Sequence, residues 1–234
     1  MPEPYRPPSS FSILPPVVKN LLILNGLAFL AQLTFGNAME QWLALWPAGV
    51  DAVLYRGQVV RPPQFYPWQL VTTAFLHGGF GHLFFNMLGL WMFGMRIEQA
   101  MGTRRFTLFY LACVIGASAL QLLVTTLAVP TEHLPVLFRD VVPTVGASGG
   151  VLGVLAAFGL LYPDERIYLY FFVPVPAKWL VLGLAALDLY AGVGGSAGGV
   201  ANFAHLGGMA TGALLVLYWR GRLPFRPRPR RTAA

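Results

Sequence analysis

The feature that most limits how this chain can fold is a series of long apolar stretches without a charged residue. Residues 106–127 form one of them, and only 11% of the chain is Asp, Glu, Lys or Arg, against about a quarter in soluble domains. Helices that cross the hydrocarbon core of a bilayer need such stretches, because charges and unpaired backbone groups are costly there. The sequence therefore predicts an all-α, polytopic membrane protein. Composition excludes a soluble enzyme and a disordered chain, and the single Cys113 excludes an internal disulfide.

Six apolar segments are predicted to be transmembrane helices. They lie at residues 17–35, 81–97, 106–127, 145–162, 179–190 and 203–219. The fourth and sixth are short and rich in Gly and Ala, so we expect them at the centre of a six-helix bundle. A glycine-rich segment at 192–199 predicts a hinge that would let a substrate helix enter. The chain divides into a cytoplasmic N-terminal segment (1–16), a transmembrane domain (17–219) and a basic cytoplasmic tail (220–234).

The distribution of basic residues predicts how the chain is oriented. With six spans and both termini in the cytoplasm, only Arg56, Arg61 and Arg139 would lie on the outer side, as the positive-inside rule requires. The tail alternates Arg with Pro and has no acidic residue. We expect it to contact anionic lipid headgroups and no nucleic acid. The residues before the first span predict neither a transit peptide nor a cleaved signal peptide, so we expect a bacterial inner membrane.

Polar side chains inside predicted spans are costly, so each is a candidate functional residue. His82 and Asn86 are four residues apart and share one face of a helix, and His77 precedes them by one loop. Arg96 and Glu98 lie at the inner end of the same span. We interpret those two charges as a charge-paired structural connection to the next helix.

Ser148 and His205 form the second set of candidates, at the outer starts of the fourth and sixth spans. A hydroxyl and an imidazole can act as nucleophile and general base, and His or Asn side chains can donate hydrogen bonds to an oxyanion. Such a set could hydrolyse a peptide bond without a metal ion or cofactor. The glycines that flank these residues, where another backbone can come close, are Gly146, Gly149, Gly208 and Gly212.

Together these motifs resemble the rhomboid family of intramembrane serine proteases. The resemblance covers residues 17–219 and rests on His-x4-His-x3-Asn, Glu-x3-Gly, Gly-x-Ser-Gly and Ala-His-x2-Gly-x3-Gly, in that order. It implies that Ser148 is the nucleophile and His205 the base of a dyad. It also implies that His82, Asn86 and the Ser148 backbone N–H bind the oxyanion, with His77 in a structural role. The implied reaction is cleavage of single-span transmembrane proteins near the outer membrane face.

Three positions raise questions that the family pattern does not answer. Gln69 follows Trp68 where many relatives have Arg, and an amide lacks the charged fork of a guanidinium, so anchoring of the first loop in the headgroup layer is expected to differ. Leu152 stands where the family usually places an aromatic ring against the catalytic His, so other packing must orient His205. Asp188 could serve as a triad acid, but it has no counterpart in the pattern, and helix packing or a water contact is the preferred interpretation.

Other functions fit the sequence less well. A zinc site built from His77, His82 and His205 lacks the Glu that intramembrane metalloproteases carry between their His ligands. Residues 146–150 match the nucleophile elbow of soluble hydrolases, but no alternation of strands and helices accompanies them. A small transporter would be expected to show an internal repeat. The main alternative is a catalytically silent rhomboid-like protein that binds membrane-protein clients.

Overall fold

A computed structural model describes residues 14–49, 53–55, 58–60, 63–127, 143–169, 172–193 and 201–222. Its helices, in chain order, are α1 (Pro16–Leu43), α2 (Gln69–Thr72), α3 (Phe80–Gly89), α4 (Met95–Met101), α5 (Thr103–Leu127), α6 (Ser148–Leu161), α7 (Ala177–Val193) and α8 (Asn202–Trp219). A 3₁₀ turn (Thr73–Phe75) follows α2, and a π-helical turn (Leu90–Gly94) joins α3 to α4. The fold is mostly helical, as predicted for an all-α membrane protein.

Two short antiparallel hairpins that the sequence analysis did not predict connect helices. They are formed by β1 (Val53–Tyr55) with β2 (Gln58–Val60), and by β3 (Arg166–Leu169) with β4 (Val173–Pro176). The bounds of the first helix also differ from the prediction, because α1 continues to Leu43 rather than ending at residue 35. It bends at Phe35, whose backbone is not helical, next to Gly36, where a helix is intrinsically weak.

α6 lies at the centre of the bundle. Its side chains are buried at almost every position from Gly149 to Gly159, and α5 and α8 pack against it. Gly212 of α8 faces Gly153 of α6 so closely that an added Cβ would lie 2.6 Å from the Gly153 carbonyl oxygen. The prediction of a central position is confirmed for the fourth segment, whereas α8 leaves Leu214 exposed.

The outer faces of several helices are apolar. α1 buries Val18 and Leu21 but exposes Leu27, Leu30 and Leu33, as a helix in contact with acyl chains does. In the described part of the chain, α1 and α5 are long and apolar enough to span a membrane by length and composition, and α6 is a shorter apolar helix. The predicted lipid-binding tail, apart from 220–222, lies outside the described residues, as do most of the N-terminal segment and of the hinge.

Glu98 of α4 holds the start of α1. Its two carboxylate oxygens accept hydrogen bonds from the backbone N–H groups of Val17 (3.0 Å) and Val18 (2.8 Å), and the side chain is buried. First-turn N–H groups lack intrahelical partners, so the carboxylate completes them at the positive end of the helix dipole. Glu98 was predicted to belong to a charge-paired connection to the next helix, whereas it holds the start of α1, and Arg96 pairs with Glu165 at 3.2 Å.

Candidate active site

Ser148 is the first residue of α6, and hydrogen bonds to distant parts of the chain fix the segment before it. Thr144 exchanges two backbone bonds with Leu45, each 3.0 Å, and accepts a bond of 2.5 Å from Thr73 Oγ1 on its carbonyl oxygen. The Gly146 N–H donates to the Thr73 carbonyl at 2.9 Å. The sequence analysis missed Thr73 and Leu45, because nothing local indicates that they hold the approach to Ser148.

His205 lies in the first turn of α8, against Ser148. A Cβ added to Gly208 would collide with the backbone oxygen of Gly149, so the backbones of α6 and α8 are in contact, as small residues one turn apart allow. This contact sets the distance between the first turns of the two helices. His205 Nε2 lies 2.8 Å from Ser148 Oγ.

Asp188 of α7 contacts the other ring nitrogen of His205. Its Oδ1 lies 3.0 Å from His205 Nδ1, and the two side chains are 14% and 17% exposed. An ionised carboxylate only accepts, so Nδ1 carries the hydrogen, and Nε2 of the neutral ring can accept from the Ser148 hydroxyl. The sequence analysis preferred helix packing or a water contact for Asp188, and the structure instead places its carboxylate on His205.

His82 and Asn86 of α3 lie on the other side of Ser148. His82 Nδ1 accepts a bond from the Gly78 N–H at 3.2 Å, which leaves the hydrogen of the neutral ring on Nε2. The ring packs on Gly146, where an added Cβ would lie 2.6 Å from Cε1 and where φ is +131°, a conformation that favours glycine. Asn86 Nδ2 donates to the His82 carbonyl at 2.8 Å, and its second hydrogen is available to a ligand.

One cavity of about 470 Å³ is lined by His82, Asn86, Ser148 and His205. Val151 and Leu152 add apolar side chains to the lining. The backbone N–H of Ser148 belongs to the first turn of α6 and has no intrahelical acceptor. The cavity thus combines a hydroxyl, an imidazole whose Nε2 can accept the hydrogen of that hydroxyl, and N–H donors from three residues within mostly apolar surroundings.

His77 is not among the residues that line this cavity. It is 1% exposed, and its ring meets the His82 ring edge-on at 5.2 Å between centroids. Gln32 of α1 donates to the His77 carbonyl (2.9 Å) and accepts from its N–H (3.0 Å). Burial, with a smaller contribution from His82, lowers the pKa of His77 to about 4, while the Phe75 backbone acts in the opposite direction. The His77 ring therefore packs against the His82 ring from outside the cavity. Gln32, which bonds to the His77 backbone, is a further residue that the sequence analysis missed.

Gln69 anchors the loop that follows α1. It is fully buried, and its oxygen accepts from the N–H groups of Trp46 (3.4 Å) and Tyr66 (3.3 Å). Its nitrogen donates to the carbonyls of Trp42 (3.4 Å) and Gln64 (3.5 Å). A neutral amide fits this enclosed position because all four contacts are with backbone groups. The loop is therefore fixed from within the protein, without a charged side chain at this position.

The geometry does not support the zinc alternative. Among the described residues, no three His, Cys, Asp or Glu side chains are grouped closely enough to hold a metal ion. His205 uses both ring nitrogens for Ser148 and Asp188, which leaves neither for a metal.

Comparison with known proteins agrees with the motifs. The Rhomboid domain matches residues 64–222. The chain is similar to RHOMBOID-like protein 12, mitochondrial, of Arabidopsis thaliana, with 34% identity over 149 residues, 62% of this chain and 44% of that protein. It is similar to Rhomboid protein 1, mitochondrial, of Saccharomyces cerevisiae, with 36% identity over 150 residues, 64% of this chain and 41% of that protein. It is also similar to Rhomboid protease GluP of Bacillus subtilis, with 28% identity over 184 residues, 79% of this chain and 31% of that protein.

The chain spans less than half the length of these relatives. Two of the three are named as mitochondrial, which makes the predicted bacterial inner membrane doubtful and leaves membrane localisation as the supported statement. The domain match covers more than half of the chain, and all four sequence motifs fall within it. The chain therefore belongs to the rhomboid family of membrane proteins.

Proposed function

We propose that this chain is an intramembrane serine endopeptidase that cleaves transmembrane substrate proteins near one face of the membrane. The observation that carries the proposal is the 2.8 Å contact between Ser148 Oγ and His205 Nε2. That contact lies in a cavity at one end of an apolar helical bundle, where a nucleophile and a base have few other reasons to meet. Membership of the rhomboid family supports the same reaction class.

The proposed reaction begins at the Ser148 hydroxyl. His205 Nε2 takes its proton as Oγ attacks the substrate carbonyl carbon, and the resulting imidazolium returns that proton to the leaving amine as the C–N bond breaks. Water then enters the cavity, and the same base activates it to hydrolyse the acyl-enzyme.

Negative charge develops on the carbonyl oxygen in both steps. The donors proposed to receive it are His82 Nε2–H, the free Asn86 amide hydrogen and the Ser148 backbone N–H. Donors that are fixed before the reaction stabilise the transition state more than flexible ones. The bonds from Gly78 to His82 and from Asn86 to the His82 carbonyl supply that fixation.

The proposed substrate is a single-span membrane protein. An intact helix hides its carbonyls in intrahelical hydrogen bonds, so residues that destabilise the helix near the scissile bond should favour cleavage. Small residues at that bond are expected from the family resemblance. We also propose six membrane crossings with both termini on one face, an arrangement in which the first turns of α3, α6 and α8 would lie at the opposite face.

The test is cleavage of a purified single-span substrate in proteoliposomes by the wild-type chain, Ser148→Ala and His205→Ala. We expect each variant to lose at least about 10³-fold in kcat, because general base and nucleophile act as one unit. Thr107→Ala is a matched control for loss of a hydroxyl, since Thr107 is half-buried and its hydroxyl bonds to the Thr103 carbonyl one turn earlier in its own helix. It should cleave at the wild-type rate.

A parallel wild-type reaction with EDTA tests the alternative that the chain is a zinc-dependent protease. Cleavage that survives EDTA and is absent in both variants supports the serine protease. Cleavage that EDTA abolishes overturns it. If wild type binds several single-span proteins but cleaves none, the chain is the silent client-binding relative.

A further inference from the structure

Asp188 has no role in the Ser148–His205 mechanism proposed above. It lies near the C-terminal end of α7, and its Oδ1 is 3.0 Å from His205 Nδ1. Its side chain is 14% exposed. A largely enclosed carboxylate in a membrane-spanning bundle is unfavourable unless it is paired. Among the described residues, His205 is its hydrogen-bond partner.

The packing of α7 against α8 holds Asp188 at this place. Gly192, one turn after Asp188 and on the same face of α7, lies against the first turn of α8. An added Cβ there would approach the Phe203 ring at 3.1 Å and the Asn202 Cβ at 3.4 Å. The same helix face thus brings Asp188 to the ring of His205, two residues after Phe203.

The contact decides which nitrogen of His205 carries the hydrogen. With Nδ1–H donating to Asp188, the lone pair of Nε2 is directed at Ser148, which is the tautomer that a general base needs. In the other tautomer, Nε2 would carry the hydrogen and could not accept the Ser148 proton. The carboxylate also lies next to the positive charge that His205 acquires during the reaction.

Leu152 makes this role more important. It lines the cavity together with His205, at the position where the family resemblance places an aromatic ring against the catalytic His. An aliphatic side chain offers no flat surface on which an imidazole can stack. The orientation of His205 must come from another neighbour, and Asp188 is the polar group that contacts its ring on the side away from Ser148.

We propose that Asp188 is a positioning residue that converts the Ser148–His205 pair into a Ser148–His205–Asp188 triad in this chain. The inference rests on the proposed serine protease function. Ser148 gives its proton to His205 Nε2 as the Oγ–C bond forms, and the proton leaves with the amine as the C–N bond breaks. Asp188 stays ionised throughout and stabilises the imidazolium without taking a proton.

The decisive variant is Asp188→Asn, which keeps the volume and removes the charge. An amide at this position can donate to Nδ1 and so favours the unproductive tautomer. We expect kcat for the single-span substrate to fall about 10²-fold or more, in the range of lost general-base catalysis. KM should change less than about twofold, because Asp188 faces His205 rather than the cavity lining. Asp188→Glu restores a carboxylate and should recover at least about tenfold of that loss.

Two control variants distinguish an effect of Asp188 on the position of His205 from an effect on the stability of the fold. Asp164→Asn removes an exposed carboxylate paired with Lys178 and should leave kcat and thermal stability unchanged. Glu98→Gln removes the charge of a buried carboxylate far from His205 and should lower the Tm while the folded protein keeps its kcat. Labelling of Ser148 by a fluorophosphonate gives a second readout that needs no protein substrate, and its rate should fall in Asp188→Asn in parallel with kcat.

The outcomes distinguish this inference from the function on which it rests. If the wild type cleaves, Ser148→Ala does not, and Asp188→Asn keeps the wild-type kcat, the triad is wrong and the serine protease stands. The triad is also wrong if Asp188→Asn loses activity only in proportion to unfolded protein, or if Asp188→Glu is no better than the Asn variant. A wild-type protein that neither cleaves nor labels overturns both proposals.

Discussion

Two carboxylates, the buried Glu98 and the largely enclosed Asp188, show how the two ends of the bundle differ. At the far end, where α1 begins, Glu98 accepts two backbone N–H groups that belong to a helix start. At the site end, formed by the first turns of α3, α6 and α8, Asp188 meets a titratable side chain instead. The first arrangement completes hydrogen bonds that folding would otherwise leave unmade. In the proposed triad the second holds the His205 ring in one tautomer, so the same functional group would stabilise the fold at one end and prepare the chemistry at the other.

This comparison predicts that substitutions at the far end change stability alone, whereas substitutions at the site end change kcat. The largest effect should come from Gly208→Val, which is expected to lower stability and kcat together. The added side chain would collide with the backbone of Gly149 and force α6 and α8 apart. We expect undetectable cleavage together with a loss of stability of about 1–3 kcal/mol, measured as Tm in detergent and as proteolysis in liposomes.

Gly183→Ala is the matched control for Gly208→Val. A Cβ at Gly183 of α7 meets nothing within 4 Å, so the variant should keep full activity and gain slightly in helix stability. Wild-type cleavage by Gly208→Val would mean that direct contact of the two backbones is not what brings His205 to Ser148.

The next largest effect is expected from His82→Ala at the site end. Removal of one oxyanion donor lowers kcat by about 10²–10³-fold in comparable sites, whereas the Tm should change little because the His82 ring lines a cavity. Kinetics in proteoliposomes and a thermal melt of the same preparation measure the two quantities. A rise in KM without a fall in kcat would assign His82 to substrate binding and remove it from the oxyanion site.

Glu98→Gln is expected to have the opposite profile. Hydrogen bonds to a charged group contribute about 1.5–3 kcal/mol each to stability, and the amide can replace only part of this. The Tm should fall by several degrees, and kcat per folded molecule should stay within about twofold of wild type, since Glu98 contacts neither substrate nor a catalytic residue. A specific loss of kcat would show that the two ends are coupled.

The smallest effect concerns pH and His77. Its pKa in the folded protein is about 4, below the usual 6.5, mainly because it is buried. Between these two values the unfolded chain binds a proton that the folded chain does not, so stability should fall as the pH is lowered from 6.5 toward 4. Tm values at pH 7, 6 and 5 should decrease more in wild type than in His77→Gln. Parallel Tm profiles for the two proteins would contradict this assignment.

Much of the helical framework could be predicted from the sequence. Apolar stretches such as 106–127 become helices because a backbone without water must bond to itself. The ends of helices were less predictable: α1 extends past residue 35 to Leu43, and the π-helical turn at Leu90–Gly94 left no sequence signal. Those features depend on packing against neighbours and on the loop that Gln69 holds.

The sequence by itself determined which residue types could do chemistry, because a Ser, two His and an Asn are costly in apolar surroundings unless they bond to one another or react. It also supplied the glycines that let α6 and α8 touch. Only the tertiary structure decided that Asp188 meets His205, that Thr73 fixes the approach to Ser148, and that Gln32 holds the loop before His82. These contacts join separate helices or loops, and the rotation of a helix about its axis follows from how all its neighbours pack. No local pattern in the chain encodes that rotation.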